Sequence, residues 1–291
     1  MFELTYRITG EEEGLPVRRI ALGRMRMSSS QFKSAKFEGE LLLDGQSVHA
    51  DARVRAGQTL TVRMPEQAGA ACQPYDLPLT VPYEDDDLLV IDKPAPLASI
   101  SSSRKGGDTL ENAVYSYLHC PADFLYRPVN RLDKGTSGLM VVAKHAHAQQ
   151  FLQAELHSED FAREYLAVTD GVPLWDEGVI DLSIAKAEGA TIRRVVDANG
   201  RPARTQCRVL QRGKERTLLW LKLDTGRTHQ IRVHLSTLGC PVTGDFLYGA
   251  ETAELPGRFA LHSHRLRLKT LSNGTIDLVS PLPDELQRLL R

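Results

Sequence analysis

Residues 127–144 read RPVNRLDKGTSGLMVVAK, with one acid, Asp133, set between Arg131 and Lys134 and ahead of an apolar run at 139–143. Five consecutive apolar residues bounded by turn formers predict a strand buried on both faces. A loop fixed by such a strand is a common place for functional side chains. Two readings of Asp133 stand side by side: an ion pair at a loop, with Arg131 as the obvious cation, or a nucleophile held beside cations. A partly buried carboxylate protonates unless a cation or hydrogen bonds stabilise the anion. Arginine suits that task because it stays charged and can bind a carboxylate bidentately.

More arginines lie in a second constellation, LDTGRTHQIRVHLSTLGCPVTGDFLYG at 223–249. A strand, WLKLD, runs into a Thr-Gly turn and then a helix whose Ile231, Leu235 and Leu238 make an i, i+4, i+7 stripe. Arg227 stands just before that helix, while His229, Arg232 and Ser236 share another face. A helix N-terminus with arginines beside it favours an anion, phosphate or carboxylate. Arg227 or Arg232 is therefore expected to hold Asp133, with Arg227 preferred for its place ahead of the helix. His229 and His234 are five residues apart, unlike the paired histidines of H-E-x-x-H, so no metal is expected. His234 reads instead as a satisfied, half-buried histidine.

The chain has 291 residues, 42% of them hydrophobic, enough for a large core beside a smaller one. No run of about eighteen apolar residues predicts a membrane span. MFELTYRITGEEEG lacks the basic start and apolar core of a signal peptide, so a cytoplasmic protein is expected. Cys72, Cys120, Cys207 and Cys240 form no Cys-x-x-Cys pair and read as reduced and incidental. The net charge of -1 does not announce a polyanion partner, yet residues 186–232 carry twelve Lys or Arg against four acids. Screening confines each charge to roughly 10 Å, so a local basic surface can bind a nucleic acid while the whole chain stays near neutral.

Three regions are expected: a small module over 1–70, a linker over 71–80, and a large domain over 81–291. In the module, SSSQFKSAKFEGE has N-cap residues and helical spacing, while LLLDGQSV and QTLTVRM read as short strands, the first turned at Asp44-Gly45. In the large domain LLVID and LMVVA are buried strands. DTLENAVYSYLH is a helix with Leu110, Val114, Tyr117 and Leu118 on one face, and AHAQQFLQAELHSE is a second helix. Strand-like runs follow at YLAVTD, VIDLSI, TIRRVV, ARTQCRVL and TLLWLKLD, with Asn199-Gly200 as a hairpin turn; PDELQRLLR closes the chain as a helix. Adjacent strands with inserted helices imply an α+β fold built on a large mixed, mainly antiparallel sheet with flanking helices.

NRLDKGTSGLMVVAK resembles the central motif of the RluA-type pseudouridine synthases, roughly H-R-L-D-x-x-T-S-G-L followed by apolar residues and A-K. LLVIDKPAP (88–96), REYLAV (163–168), TGRTHQIRVHLSTLGCPVTGDFLYG (225–249) and LHSHRLRL (261–268) match in family order, so the likeness covers about 80–285. The first module is similar to an S4-like RNA-binding domain. The resemblance implies an isomerase without cofactor, acting on ribosomal or transfer RNA as a monomer. It breaks the N-glycosidic bond of uridine, turns the uracil and bonds C5 to C1′. It makes Asp133 the catalytic aspartate, acting at the ribose, and Tyr165 the residue beside the uracil that removes the C5 proton. Arg227 is expected to pair with Asp133, and Arg131 to fill the gap left by the extruded nucleotide. Asn130, Thr136, His229 and Arg232 are expected to touch substrate. Two positions depart from the pattern: Asn130 replaces the usual histidine, and Ile100 stands near where many members carry His-Pro.

Two other classes compete. A non-catalytic RNA-binding or ribosome-assembly protein would use the module and the basic tract but has no need of Asp133, Tyr165 and Arg227 together. A nucleoside or glycoside hydrolase would need a pair of carboxylates. Glu164 is a poor second acid, because neighbours on a strand face opposite sides.

Overall fold

Ser137–Ala143 (β8) has all seven residues buried, which is why it reads as an unbroken apolar run. In the computed structural model, which describes residues 2–64, 72–100, 107–156, 158 and 160–291, this strand lies within a ten-stranded sheet. Ahead of it come β5 (Thr80–Glu84), β6 (Leu88–Lys93), the helix α3 (Leu110–Tyr117) and a two-residue strand, β7 (Arg127–Pro128). After it come α4 (Ala146–Glu155), β9 (Ala162–Asp170), β10 (Glu177–Asp181), β11 (Ile184–Lys186), β12 (Arg194–Val196), β13 (Arg204–Arg212) and β14 (Arg216–Leu223). The chain ends with α5 (Gln230–Thr237), β15 (Leu261–Lys269), β16 (Thr275–Val279) and α6 (Asp284–Arg288).

The strand order is β10-β13-β14-β9-β15-β8-β6-β5, with β16 on β15 and β7 on β8. All pairs are antiparallel except β15 with β8, where His262 meets Ser137 and Ser263 meets Gly138. The α+β expectation of a mixed, mainly antiparallel sheet is what the protein has. Alternation along β8 feeds two cores: Met140 and Val142 join Leu89, Leu219, Ile231 and Phe259, while Leu139 and Val141 join Leu88, Phe151, Leu152 and Leu266. Helices α3, α5 and α6 supply the first core and α4 the second. Tyr117 is not part of the α3 stripe: it is 37% exposed, and its hydroxyl donates to Glu84 Oε2 at 2.7 Å.

Residues 2–64 form a second, four-stranded sheet from β1 (Phe2–Arg7), β4 (Thr59–Met64), β2 (Glu40–Leu43) and β3 (Gln46–Ser47), in that order, with α1 (Val17–Gly23) and α2 (Ser29–Glu38) against it. Its own core gathers Val17, Ile20, Phe32, Leu41, Leu60 and Val62. Ser28 and Gln31 cap α2 reciprocally, each bonding the other's backbone amide at 3.0 Å. Asp44 and Gly45 both take positive φ, 49° and 81°, as a two-residue hairpin with the strand twist requires.

Two further expectations change, and parts of two expected segments fall outside the described residues. The start of the expected linker, with the end of the module (65–71), lies outside the described residues, as do His157 and Glu159 at the end of the second helix. From Gln73 onward the supposed linker lies along α3: Tyr75 N donates to Ser116 Oγ at 2.8 Å, Asn112 Nδ2 donates to Gln73 O at 2.7 Å, and Tyr75, Leu77 and Leu79 pack on the core. Asn199-Gly200 does turn the chain, but it joins no hairpin pair, because β12 pairs with β11 while β13 pairs with β10 and β14.

Candidate active site

Asp133 begins a turn that Thr136 closes, its amide donating to Asp133 O at 3.1 Å. The turn residues are Lys134 and Gly135; Ser137 and Gly138, expected to lie in the turn, are already the first residues of β8. Gly138 has φ +104°, and a Cβ there would meet Ser263 O at 2.3 Å. This glycine is what allows β8 and β15 to approach where their parallel pairing starts.

The carboxylate of Asp133, 29% exposed, accepts from Arg232 Nη1 at 2.8 Å. Arg232 is 3% exposed and makes a two-point pair with the fully buried Asp245, Nε to Oδ2 at 2.6 Å and Nη2 to Oδ1 at 2.8 Å. Its guanidinium also lies over Phe259, 4.2 Å from the ring centroid, and beside Tyr248 at 5.0 Å. Burial pulls the pKa of Arg232 down, but its bonds to Asp245 and the charges of Asp133 and Asp245 outweigh that and raise it overall. One arginine fixed by a buried acid thus presents its remaining N–H edge to Asp133, a charge-assisted bond that fixes the carboxylate at the edge of the cavity.

Arg227 was the preferred partner and is not the one. Its Nε donates to Pro202 O at 2.9 Å and its amide to Gln230 Oε1 at 2.9 Å. It precedes α5, whereas Arg232 lies one turn into the helix on the side facing the Asp133 loop. The turn at 225–229 that carries Arg227 is held by Gln230, whose side chain also accepts from Thr225 Oγ1 and donates to Arg204 O and Thr205 Oγ1.

The other expected site residues divide. Arg131 is exposed at the cavity wall and makes no ion pair with a described residue. His229, at the start of α5, takes left-handed backbone, φ 58°, and its Nδ1 bonds the Tyr248 hydroxyl at 2.8 Å. Burial lowers its pKa, so it faces Asp133 as neutral imidazole, with Nε2 3.8 Å from Oδ2, beyond hydrogen-bond range. Asn130 and Thr136 border the cavity, and the buried Nδ2 of Asn130 has no hydrogen-bond partner among the described residues. Asn130 Oδ1 accepts from Val141 N at 2.8 Å, and Thr136, 2% exposed, shapes the turn. His234 is fully rather than half buried, bonded to Thr205 Oγ1 and Leu182 O.

Tyr165 lines the same cavity, about 640 Å³ in volume, within the usual range for a small-ligand site. Burial raises its phenol pKa, opposed by the charge of Arg163 and a bond with Ser263. Glu164 points to the other side, accepting from Trp220 Nε1 at 2.8 Å. The basic tract is only partly open: Arg204 pairs with Asp224, Arg212 with Asp176 and Arg216 with Glu254. Arg193 and Arg194 remain beside the site, Arg194 N donating to Tyr248 OH at 2.8 Å.

Asp245, Tyr248, Phe259 and Arg163 had no role in the sequence reading. The first two lie in the quoted GDFLYG, where an acid ahead of two aromatics and downstream of a basic helix was the available signal. Arg163 is two residues before Tyr165 on β9, hence on the same face, with a buried Nε that has no hydrogen-bond partner among the described residues. Phe259 carried no local signal.

The sequence profile described as RNA pseudouridylate synthase matches residues 87–237. A ribosomal large subunit pseudouridine synthase D of Xanthomonas campestris is 39% identical over 267 residues, 87% of this chain and 80% of that protein. The protein of the same name from Nitrosomonas europaea is 40% identical, covering 82% of this chain and 70% of the relative. Among solved structures, human RNA pseudouridylate synthase domain containing 1 superposes with a TM-score of 0.59 at 28% identity, over 70% of this chain and 83% of that one. With the motifs, the fold and these relatives in agreement, the chain belongs to the RluA-type RNA pseudouridine synthases, isomerases that convert uridine in RNA to pseudouridine.

Proposed function

We propose that the substrate is RNA of the large ribosomal subunit and that Asp133 acts at the ribose of a uridine turned out into the cavity. The observation that carries this reading is a carboxylate open to a 640 Å³ cavity yet held from behind by a buried arginine. That arrangement suits a carboxylate fixed in place to react with an entering sugar. The names of the two bacterial relatives support the choice of ribosomal RNA.

A base inside a duplex cannot reach Asp133, so the nucleotide leaves its stack at a cost of about a few kcal/mol, and exposed Arg131 takes its place against the RNA. Uracil then lies against Tyr165. Once C5 has bonded to C1′, the C5 proton lies on a carbon next to the C4 carbonyl, and its loss restores the conjugated ring. Burial raises the Tyr165 pKa and so works against its role as the base; its oxygen takes the C5 proton only as its own hydroxyl proton passes on to a neighbour or to solvent.

The unit at residues 2–64 is proposed as the S4-like RNA-binding part. Its separate core and the exposed Arg18, Arg19, Arg53 and Arg55 support that role. It is tied to the catalytic part where Ser28 N donates to Gln150 Oε1 at 3.0 Å and Arg26 lies over Phe151. A monomer is part of this proposal, and no helix among the described residues is long and apolar enough to cross a membrane. A cytoplasmic enzyme is the natural setting for such a substrate.

The test is a pseudouridine map of RNA from cells with and without this protein, repeated with purified protein on ribosomal and transfer RNA. Loss and restoration of pseudouridine at uridines of the large subunit RNA is expected. Changes confined to transfer RNA would overturn the choice of substrate.

A further inference from the structure

Arg232 is immobilised by Asp245 and Phe259, whereas Asp133 belongs to a loop whose neighbours Arg131 and Lys134 are both exposed. The accuracy of the pair therefore depends on what holds the loop. The Leu132 side chain is anchored in the core, and the three consecutive carbonyls at 132, 133 and 134 fix the backbone. Asp133 O is taken by the turn itself. The other two are taken by a strap that follows β6: Ser99 Oγ donates to Leu132 O at 2.6 Å, and Leu97 N donates to Lys134 O at 2.9 Å.

The strap is itself fastened. Lys93, fully buried at the end of β6, donates to Leu97 O at 2.8 Å and Pro94 O at 3.0 Å, and Leu110 N at the start of α3 donates to Ala98 O at 2.8 Å. Of the two groups that grip the loop, the Leu97 amide is backbone and comes with any sequence. The Ser99 hydroxyl, in a residue 6% exposed, does not.

We propose that Ser99 is a positioning residue for the isomerisation: through Leu132 O it sets the place of the Asp133 carboxylate against Arg232 and the ribose. It touches no reacting atom. Leaving the buried carbonyl of Leu132 without a donor lets the loop shift, and a displacement of about 1 Å at a reacting group can cost on the order of a hundredfold in rate. RNA affinity, which depends on Arg131 and the basic surfaces, is untouched.

This inference rests on Asp133 as the acting group, so Asp133→Asn is measured in parallel. Single-turnover pseudouridine formation and RNA binding are followed for Ser99→Ala and Ser99→Thr. The expected result is a rate about ten- to a hundredfold lower for Ser99→Ala with unchanged RNA dissociation constant, and recovery of most of that loss in Ser99→Thr, which restores the donor. Should the alanine variant fail to fold, Ser99→Cys keeps the volume with a weaker donor, and the same slow step at unchanged affinity is expected. A wild-type rate in the alanine or cysteine variant, or a rate loss matched by lost RNA affinity and not recovered by threonine, overturns the proposal. If Asp133→Asn retains activity, the reading of Asp133 has failed instead.

Discussion

Arg232 Nη1 reaches Asp133 Oδ2 at 2.8 Å although 99 positions separate them in the chain, and the same guanidinium clasps Asp245 through its other two nitrogens. Three bonds from one planar group set the geometry of the site. A lysine in its place supplies one compact charge and cannot span both acids. Arg232→Lys is expected to lower the single-turnover rate by at least about a hundredfold and, by leaving Asp245 buried and poorly paired, to destabilise the fold by about 3–5 kcal/mol in a denaturant titration. Arg227→Gln is the contrasting variant: its rate at saturating RNA is expected to stay within about threefold of wild type, because Arg227 bonds Pro202 O and not Asp133. Equal losses in the two variants would contradict this assignment.

Gly138 offers a test of the scaffold. Its φ of +104° is strained for any L side chain, and an added methyl would meet the backbone of Ser263 at 2.3 Å, which has no flexible end to move aside. Gly138→Ala is expected to destabilise by about 2–4 kcal/mol and to separate β8 from β15, seen as faster amide exchange along β8. Alanine at Gly189, with φ +67° and open space around it, shows the effect of the strained backbone alone.

Those glycines mark what was legible in the sequence and what was not. The strand at 139–143 and the Asp133 loop could be read because a seven-residue buried strand leaves a local apolar signature. The arginine partner was narrowed to two residues but chosen wrongly. Adjacency to a helix start favoured Arg227, whereas the choice depended on which face of α5 turns toward the loop, and that is set by its packing on β12 and β13, which local spacing does not reveal. Asn130 and Thr136 were legible as cavity residues from their place in the motif, whereas the bond from Val141 N to Asn130 Oδ1 is a non-local fact that spacing does not reveal.

Lys93 makes stability depend on alkaline pH. Burial, with the charge of Arg258, pushes its ammonium down to about 7 from 10.5, against the opposing charge of Asp133. Because the folded state binds the proton less tightly than the unfolded chain, the stability contributed by neutral Lys93 is fully present above the unfolded pKa. It is lost as pH falls from about 10.5 to about 7. The expected gain across that window is a few kcal/mol, since each pKa unit corresponds to about 1.4 kcal/mol. Urea titrations from pH 7 to 10 on wild type and Lys93→Met check this: the rise is expected in the first and flattened in the second, and parallel curves would show that Lys93 does not titrate in the fold.

Tyr165→Phe isolates the hydroxyl from the ring. If the phenol takes the C5 proton, the variant is expected to bind RNA as wild type does and to lose about 10²- to 10⁴-fold in pseudouridine formation, the usual worth of a general base. A phenylalanine variant with wild-type turnover would reduce Tyr165 to a packing surface for uracil.

The central claim is that the Asp133 carboxylate performs the reaction while Arg232 holds it. The direct measurement is single-turnover pseudouridine formation by Asp133→Asn on an RNA the wild type modifies, at protein concentrations that saturate binding. The side chain stays nearly isosteric and can still meet Arg232 through its carbonyl oxygen, so fold and RNA affinity are expected to persist while product falls below detection. Pseudouridine formed by that variant at the wild-type rate would contradict the account.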